Sequence, residues 1–402
     1  MEQTGISLDQ VKKRNRALIL RAINDFGPIS KKDIALKLKL TAASLTQTCA
    51  PLIESGLIRE KGTLREASGP GRRKVLLELN YDYRLVYCVV IEPENTFIAV
   101  TNLCGDLKAF EKISTRKDAA PADFLHEISQ ICLKLKNDAG ICDEIEYAGV
   151  CISGLVDRER KVSVHAYGIW DEEVKVGEIL SSGLGCRVFL ENNVEAFALA
   201  EVYFGLGKVN DNLFFVKWGP GLGSAIVTGR RVYEGELKKA AEIGHFIIQK
   251  DGELCSCGRR GCLETKISFN AIKKDISAVF SKEKTPGLYS MLDGNPDNMS
   301  SDFPDDFFEN CDEELLKIFE KRIDLFAMVI INCMTILSPN RVVLCGPMFK
   351  SGIIREKVIR ACSYYDSAYN SENIIHTALA DKETYIGGSA LCAKEILFGG
   401  EY

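Results

Sequence analysis

The chain has 402 residues, of which 46% are hydrophobic and 27% charged, as in ordinary globular proteins large enough for two or three domains. Its net charge of −5 is unevenly spread: residues 1–80 carry 15 Lys and Arg against 8 Asp and Glu, whereas residues 81–402 carry 36 against 48. No apolar run reaches the length of a membrane span and residues 1–16 lack the apolar segment of a secretory signal, which excludes a membrane or secreted protein and favours a cytoplasmic one.

The N-terminal part of the chain predicts three helices followed by a short pair of strands. Apolar residues recur at helical spacing in residues 12–26, and Ser30 and Thr41 are suited to cap a second and a third helix. Residues 57–62 then begin a strand pair. This order of elements is typical of a winged helix-turn-helix, whose recognition helix enters the major groove of DNA. The basic balance of the same region favours a polyanionic partner.

Two groups of residues in this region are candidates for contacts with DNA. Small and amide side chains at the start of the third helix can approach base edges, and Gln is suited to adenine. The basic segment 68–74 can neutralise phosphates or enter a minor groove, although on its own it is equally consistent with a solvated linker. The predicted contacts with double-stranded operator DNA are Thr41, Ala43, Ser44, Gln47, Thr48, Arg72, Arg73 and Lys74.

From Val75 onward, predicted strands alternate with helices, which indicates an α/β body. The predicted strands are 85–91, 98–101, 147–152, 187–190 and 341–347 (a strand and turn), and the predicted helices are 121–137, 313–337 and 386–397. Residues 282–312 are rich in Pro, Asp and Asn, and we expect a loop insertion there.

A cysteine cluster is the strongest local motif in the chain. Three cysteines fall within the eight residues 255–262, ten residues after His245. Fifteen cysteines without a secretory signal indicate a reducing compartment, where such a cluster binds metal more often than it forms disulfides. Three thiolates and an imidazole form a usual tetrahedral zinc site, so the predicted ligands are His245, Cys255, Cys257 and Cys262. The alternative is a surface loop with free thiols.

The motif that begins at Glu242 carries a family resemblance. Glu242-Ile-Gly-His is followed by Cys255-Ser-Cys-Gly-Arg-Arg-Gly-Cys-Leu-Glu, and the two segments together resemble the motif of the ROK family of bacterial sugar repressors and sugar kinases. The resemblance covers roughly residues 81–400 and implies a two-lobed, actin-like (ribonuclease H-like) body with the sugar in the cleft between the lobes. The repressors of the family have a similar N-terminal domain and a similar Gly-Arg-Arg segment, which the kinases lack.

The resemblance, combined with the predicted elements, gives four expected regions. Residues 1–74 form the winged helix-turn-helix with its basic linker, and residues 75–200 form the first lobe. Residues 201–380 form the second lobe with the zinc loop 245–262, and residues 381–402 form a last helix that returns to the first lobe.

Two departures from the kinase pattern predict that the protein is not an enzyme. The kinases of the family have Glu-Asn-Asp, whose Asp accepts the proton of the sugar hydroxyl, but Asn193 stands at that position and an amide is not a general base. The phosphate-binding Asp-x-Gly-Gly-Thr is replaced by residues 92–96, Glu-Pro-Glu-Asn-Thr, which lack both glycines. The second glycine-rich loop, residues 219–223, is intact. The alternative is that Glu195 or another carboxylate replaces the base.

The sugar contacts of the family are better preserved than its catalytic residues. By resemblance, the sugar-binding residues are Gly154, Asn192, Asn193, Glu242, His245 and Glu264. Carboxylates and amides match adjacent hydroxyls, since they supply paired donors and acceptors. His245 would bind zinc through one ring nitrogen and approach the sugar with the other, so that the metal orients the site.

Three functions are compatible with these motifs. The favoured one is a sugar-responsive repressor of carbohydrate-utilisation genes that acts as a homodimer or a dimer of dimers, because helix-turn-helix proteins bind paired half-sites. The second is an ATP-dependent sugar kinase with a fused DNA-binding domain. The third is a constitutive DNA-binding protein whose body serves only for dimerisation.

Overall fold

The computed structural model describes residues 8–64, 74–236, 240–300, 303, 305–309 and 311–399. The chain forms two compact units: residues up to Ala196 together with Thr384 onward make unit 1, and Phe197–Glu383 makes unit 2. Within the described residues, no helix is both long enough and apolar enough to cross a membrane.

Unit 1 begins with a small head of three helices and a three-stranded sheet. Its elements are α1 (Leu8–Phe26), β1 (Ile29–Ser30), α2 (Lys31–Leu38), α3 (Ala42–Glu54), β2 (Ile58–Leu64) and β3 (Lys74–Leu79). The side chains of Ser30 and Thr41 accept hydrogen bonds from the backbone N–H groups of Asp33 and Ser44, so both predicted caps are present. Buried apolar residues on all three helices form the core of the head, among them Ile19, Ile34 and Leu45.

The head extends further along the chain than the sequence predicted. Strand β3 pairs antiparallel with both β1 and β2, in the order β1-β3-β2. The predicted boundary at residue 74 is therefore wrong, because Lys74–Leu79 completes the sheet of the head instead of starting the body. A short 3-10 turn, Tyr81–Tyr83, connects this sheet to the next strand.

The body of unit 1 is a five-stranded sheet covered by helices. Its elements are β4 (Leu85–Ile91), β5 (Asn95–Asn102), β6 (Leu107–Ser114), α4 (Pro121–Asp138), β7 (Tyr147–Ile152), β8 (Leu155–Asp157), β9 (Val162–His165), α5 (Val176–Leu184), β10 (Arg187–Asn192) and the start of α6 (Asn193–Phe204), which continues into unit 2. The strand order is β10-β7-β4-β5-β6, in which β4, β5 and β6 are antiparallel while β7 and β10 run parallel to β4. Strands β4 and β7 are buried almost throughout, as expected for central strands.

Unit 2 contains a second five-stranded sheet and a helical layer. Its elements are β11 (Leu213–Trp218), β12 (Leu222–Thr228), β13 (Arg231–Val232), α7 (Glu264–Ile267), α8 (Phe269–Val279), α9 (Pro286–Met291), α10 (Asp305–Glu309), α11 (Glu313–Leu337), β14 (Arg341–Cys345), α12 (Gly352–Tyr365) and β15 (Ile374–His376). The strand order is β13-β12-β11-β14-β15. Trp218 at the end of β11 stacks on Phe326 of α11 with ring centroids 4.9 Å apart, which packs the sheet against the long helix.

The segment 282–312 is not the loop insertion that its composition suggested. It contains α9 and α10, and Phe303, Phe307 and Phe308 are buried against Phe319 of α11 with ring centroids 5.0–5.8 Å apart. Asp305 accepts hydrogen bonds from the Ser351 hydroxyl (2.6 Å) and the Ile353 N–H (3.2 Å), which fixes α10 at the start of α12. The segment is therefore part of the core of unit 2.

The last helix, α13 (Ile386–Ile396), packs on the central strands of unit 1. Two glycines allow this close approach, since a Cβ on Gly149 of β7 would lie 2.0 Å from the carbonyl oxygen of Gly388. The hydroxyl of Ser389 lies 2.9 Å from that of Thr101 and 3.3 Å from the sulfur of Cys88. These contacts fix α13 to strands β4 and β5, the first two strands of the body sheet.

Candidate functional site

The predicted metal ligands of unit 2 are brought together by the fold. One donor atom from each of His245, Cys255, Cys257 and Cys262 lies within 4.8 Å of the others. The Sγ atoms of Cys257 and Cys262 are 3.7 Å apart, as are the Sγ of Cys255 and the Nδ1 of His245. Two thiolates on one tetrahedral zinc ion stand about 3.8 Å apart, so the four side chains fit a closed tetrahedral site.

The backbone around these ligands explains the two glycines of the motif. Gly258 and Gly261 have φ values of +83° and +73°. A Cβ on Gly261 would lie 1.7 Å from the carbonyl oxygen of Gln249, so no larger residue fits there. Isolated bridges between Ile247 and Cys262 and between Leu254 and Arg260 hold the two sides of the loop together.

The electrostatic environment of the cluster favours deprotonated ligands at two positions. Burial, with a smaller contribution from Arg259, lowers the pKa of His245, which keeps the imidazole neutral. Burial opposes the thiolate of Cys257, but hydrogen bonds from the backbone and side chain of Arg259 outweigh it and lower the pKa of that thiol. Arg259 is a feature of the site that the spacing of the cysteines did not reveal.

Glu242 and Glu264, the predicted sugar ligands of unit 2, lie in different surroundings. An Oε2 of Glu242 is 3.8 Å from the Nε2 of His245. Glu264 is half-buried and accepts the backbone N–H of Leu222 at 2.9 Å, beneath the glycine-rich loop. Burial raises the pKa of Glu264 to about 7, the Leu222 N–H opposes this, and Glu242 adds to it. One carboxylate oxygen of Glu264 is thus already engaged in fixing the loop.

Asn192 and Gly154, two of the predicted sugar ligands of unit 1, contact each other. Asn192 donates from Nδ2 to the carbonyl oxygen of Gly154 at 2.8 Å. Its Oδ1 accepts the backbone N–H groups of Val194 (2.8 Å) and Glu195 (3.2 Å). Since both ends of its amide have protein partners, Asn192 caps α6 and positions its neighbours, a role that the resemblance did not predict.

Asn193, at the position of the kinase base, is held by two side chains that the sequence did not single out as its partners. The Nδ2 of Asn193 donates to the Oε1 of Glu92 at 3.0 Å and to the hydroxyl of Ser153 at 3.2 Å. An amide donates to a carboxylate in this way but cannot take a proton from a hydroxyl. The amide can bind a hydroxyl group but is not itself a general base, and the carboxylate next to it is that of Glu92.

The alternative base, Glu195, is engaged in an ion pair. Its carboxylate and that of Glu191 both contact the guanidinium of Arg158, and all three side chains are less than a quarter exposed. The carboxylate of Glu195 would have to leave this guanidinium to contact a sugar hydroxyl. Arg158, which the sequence analysis did not identify, therefore argues against the replacement of the base by Glu195.

The two loops aligned with phosphate-binding segments are largely occupied by their own hydrogen bonds. The turn after β4 is closed by the N–H of Glu92, which donates to Asn95 O at 3.0 Å, while Thr115 donates from its N–H to Glu94 O at 3.1 Å. In the second loop, the N–H of Gly219 donates to Gly221 O at 2.7 Å, the N–H of Leu222 is bound by Glu264, and Pro220 has no N–H. The N–H groups of Glu92, Gly219 and Leu222 are therefore engaged within the protein, and Pro93 and Pro220 have none to offer to a phosphate.

The predicted DNA contacts on the head divide into exposed and engaged residues. Ala43 and Gln47 are exposed on α3, together with Thr46 and Ala50. Thr41 is exposed but caps the helix. Ser44 and Thr48 are half-buried, and the Thr48 hydroxyl donates to Ser44 O at 2.9 Å, so these two are less available than predicted. Lys74 lies 3.5 Å from Asp33, while Arg72 and Arg73 lie outside the described residues.

Comparison with known proteins gives both repressors and kinases as relatives. The family model described as "ROK family" matches residues 86–395. The chain is 26% identical over 402 residues to the xylose repressor of Caldicellulosiruptor bescii, with 98% of each chain covered. It is 28% identical over 277 residues to the glucokinase of Thermotoga maritima, which covers 67% of this chain and 86% of the glucokinase.

A solved structure extends the similarity to the fold of the whole chain. A ROK family transcriptional regulator described as a homolog of the E. coli MLC protein matches with a TM-score of 0.77 at 23% identity, covering 97% of both chains. Because the family model covers well over half of the residues, the chain belongs to the ROK family.

Proposed function

We propose that this protein is a sugar-responsive DNA-binding transcriptional regulator, a repressor of carbohydrate-utilisation genes whose body binds a sugar without phosphorylating it. The observation that carries the proposal is the alignment over 98% of both chains with a xylose repressor, since it includes the head as well as the body. The alignment with a glucokinase covers 67% of this chain. The repressor identity therefore accounts for more of the molecule.

We assign the head to DNA binding as a winged helix-turn-helix. Its element order is helix, strand, helix, helix and two strands, and both caps of the helix-turn-helix are present. Ala43, Thr46 and Gln47 are exposed at the N-terminal end of α3, where a recognition helix contacts base edges. The basic balance of residues 1–80 supplies the attraction to phosphate. Such domains bind paired half-sites, so we propose that the protein works as a homodimer.

We assign sugar binding to the two groups of polar residues described above. In unit 1 these are Asn193 together with Gly154 and Asn192, which position it, and in unit 2 they are Glu242, His245 and Glu264. Amides and carboxylates form hydrogen bonds with hydroxyl groups, and a sugar that leaves one of them unmatched binds more weakly. Which sugar is preferred thus depends on how many of these donors and acceptors it satisfies.

We assign a structural zinc ion to His245, Cys255, Cys257 and Cys262. A zinc ion with four protein ligands has no open position for water, so it stabilises the loop rather than catalysing a reaction. His245 lies between this cluster and Glu242, which places its second ring nitrogen where the metal can orient it.

A sugar kinase is the second candidate, favoured by the glucokinase relative and by the glycine-rich loop 219–223. Asn193 argues against it. ATP turnover with D-glucose, D-xylose and N-acetyl-D-glucosamine distinguishes the two, because a regulator binds a sugar without consuming ATP. Sugar-dependent turnover that disappears in Glu195→Gln would establish the kinase.

The proposed function is tested by combining a sugar screen with DNA titrations. The full chain is first used to select tight-binding duplexes from a random DNA pool, and its melting temperature is then measured with each of the three sugars. A sugar that binds raises the melting temperature in a concentration-dependent way. The same sugar should change the affinity for the selected duplex. If a sugar binds equally well with and without the duplex, the body is a dimerisation scaffold and the proposed regulation is wrong.

A further inference from the structure

An aromatic pair lies on the backbone segment that packs against Gly154. The rings of His165 and Tyr167 meet edge to face, with centroids 4.8 Å apart and an interplanar angle of 67°. Both side chains are half-buried. Neither residue belongs to the predicted sugar-binding set, and the motif of the family did not lead to them.

Gly154 ties this segment to the proposed sugar-binding residues. Its φ is +110°, and a Cβ there would lie 2.1 Å from the carbonyl oxygen of His165 and 3.0 Å from the backbone nitrogen of Tyr167. The carbonyl of Gly154 in turn accepts the side chain of Asn192. The backbone that carries the two rings therefore contacts the residue that the amide of Asn192 holds in place.

The segment is a tight turn with Tyr167 at its tip. The N–H groups of Ile169 and Trp170 both donate to Ala166 O, at 2.9 and 3.2 Å, and Gly168 takes a φ of +72°. The ring of Trp170 is fixed by a hydrogen bond from Nε1 to the hydroxyl of Ser163 at 3.1 Å. Tyr167 thus lies in a turn that is closed by two backbone hydrogen bonds.

The tip of the turn also approaches the partner of Asn193. A Cβ on Gly168 would lie 3.6 Å from the Cβ of Pro93, the residue that follows Glu92. Glu92 is the carboxylate to which Asn193 donates. The backbone on either side of Tyr167 therefore packs against Gly154, whose carbonyl Asn192 holds, and against Pro93, the chain neighbour of Glu92.

We infer that Tyr167, supported by His165, provides an aromatic surface for the apolar C–H face of the sugar effector and so helps to determine which sugar binds. The inference rests on the proposed function. A sugar presents hydroxyl groups around its edge and C–H groups on its faces, and the amides and carboxylates described above satisfy only the hydroxyl groups. Ligand sites commonly combine a few polar groups with an aromatic wall. A rigid tyrosine supplies such a wall with little loss of side-chain freedom.

The test compares four variants of the full chain by calorimetric titration with D-glucose, D-xylose and N-acetyl-D-glucosamine. Tyr167→Ala removes the ring, Tyr167→Leu keeps an apolar side chain without a ring, and Tyr167→Phe keeps the ring without the hydroxyl. Tyr364→Ala, at a tyrosine of unit 2 that is 84% exposed, is the matched control. DNA binding without sugar and zinc content are measured for each variant, because an aromatic surface for the sugar should leave both unchanged.

We expect the Kd of the preferred sugar to rise at least about fivefold in Tyr167→Ala and Tyr167→Leu, as expected when an aromatic contact is lost. Tyr167→Phe and Tyr364→Ala should stay within about twofold of the parent protein. The ratio of affinities among the three sugars should also change in the first two variants. If Tyr167→Leu or Tyr167→Ala binds sugar as tightly as the parent, the inference is wrong while the proposed function stands. If the parent binds none of the sugars, both are wrong.

Discussion

The proposal that the body binds a sugar without phosphorylating it depends on Asn193. Its amide donates to both Glu92 and Ser153, so its orientation is fixed and its Oδ1 is the atom left to accept a hydroxyl. A carboxylate at the same position would stand close to Glu92 and would repel it unless a cation or a proton intervened. Asn193 and Glu92 thus form a hydrogen bond between a neutral amide and a charged carboxylate. The aligned motifs of the kinases have a carboxylate at both positions.

Exchanging this amide for a carboxylate should destabilise the protein without creating a kinase. In Asn193→Asp, two donated hydrogen bonds are replaced by repulsion between carboxylates about 3 Å apart, and we expect the free energy of unfolding at pH 7 to fall by about 1–3 kcal/mol. Urea denaturation measures the change. The double variant Asn193→Asp, Glu92→Gln should recover most of the loss, because the new amide donates to the new carboxylate. Equal stability of the single variant and the parent would show that the pair contributes nothing.

The metal ligands allow a second test at single residues. We expect one zinc ion per chain, and Cys257→Ser should lose it and unfold at a lower temperature, because structural zinc contributes to folding directly. Metal analysis and thermal unfolding measure both effects. Cys142→Ser, at an exposed cysteine outside the cluster, is the control and should retain zinc and stability. A parent protein purified without chelators that contains no zinc would contradict the assignment.

The sequence identified these residues but not their partners. The spacing of the cysteines predicted that the four side chains of the cluster lie together, because its three thiols fall within eight residues, and the resemblance drew attention to Asn193. Glu92, by contrast, lies 101 residues from Asn193, and Arg158 reaches Glu191 and Glu195 from a separate strand-and-turn region. Contacts of this kind depend on how the strands are ordered in the sheet, which local spacing does not contain.

Among the elements, those with a clear apolar pattern in the sequence were predicted well, whereas those that depend on contacts with distant segments were not. Strand β7 and helix α11 have the predicted bounds. A continuous apolar run marks the buried strand, and apolar residues at helical spacing mark the 25-residue helix. Helix α10 has only five residues, and Phe307 and Phe308 are buried because Phe303 and α11 surround them. Strand β3 was assigned to the body because its pairing with β1 and β2 has no local signal.

The packing of α13 on β7 gives a prediction about an element rather than a single contact. In Gly149→Ala the new Cβ meets the backbone of Gly388 at 2.0 Å, and neither backbone can move without separating the helix from the sheet. We expect the free energy of unfolding to fall by about 1–3 kcal/mol or more, measured by urea denaturation. Gly352→Ala is the control: the atom nearest to its Cβ is a carboxylate oxygen of Asp305 at 3.4 Å, which is an ordinary contact distance, and the position is the first of α12. A change within about 0.5 kcal/mol is expected there.

On the scale of the whole molecule, α13 also provides a physical route between the proposed sugar-binding residues and the head. Its first turn contacts α6 just after Asn193, since a Cβ on Gly387 would lie 3.1 Å from the Cβ of Ala196. Its last carbonyl, that of Ile396, accepts a hydrogen bond from Arg16 of α1 at 3.3 Å. One helix of about 16 Å therefore connects the end of the proposed sugar-binding segment in unit 1 to the first helix of the head.

The Arg16–Ile396 hydrogen bond, which links the head to α13, has the features of a contact that can change. Burial lowers the pKa of Arg16, while Tyr83 opposes the shift, so the guanidinium is partly desolvated. A cavity of about 450 Å³ adjoins it, lined by residues of the head such as Leu52 and Ser55 and by body residues that include Glu146 and Glu395. The Arg16–Ile396 contact therefore lies beside a cleft lined by both the head and the body.

This arrangement predicts that Arg16 transmits the sugar signal without taking part in either binding event. For a sugar that weakens DNA binding tenfold in the parent, a coupling of about 1.4 kcal/mol, Arg16→Met should reduce the effect to about threefold or less. DNA affinity without sugar and sugar affinity without DNA should each change by less than about threefold, since Arg16 contacts Ile396 and not the ligands. Fluorescence titrations of a labelled duplex with and without sugar measure all of these affinities.

The matched control is Lys13→Met, which removes the same charge from an exposed position of α1, so any general weakening of DNA binding appears in both variants. Coupling is reciprocal, so DNA must weaken sugar binding by the same tenfold factor in the parent and by the reduced factor in Arg16→Met. If Arg16→Met keeps the full tenfold response while Lys13→Met behaves identically, the signal reaches the head by another route, such as the Tyr81 hydroxyl that donates to Asn24 at 2.7 Å. Tyr81→Phe would then be the variant that loses the response.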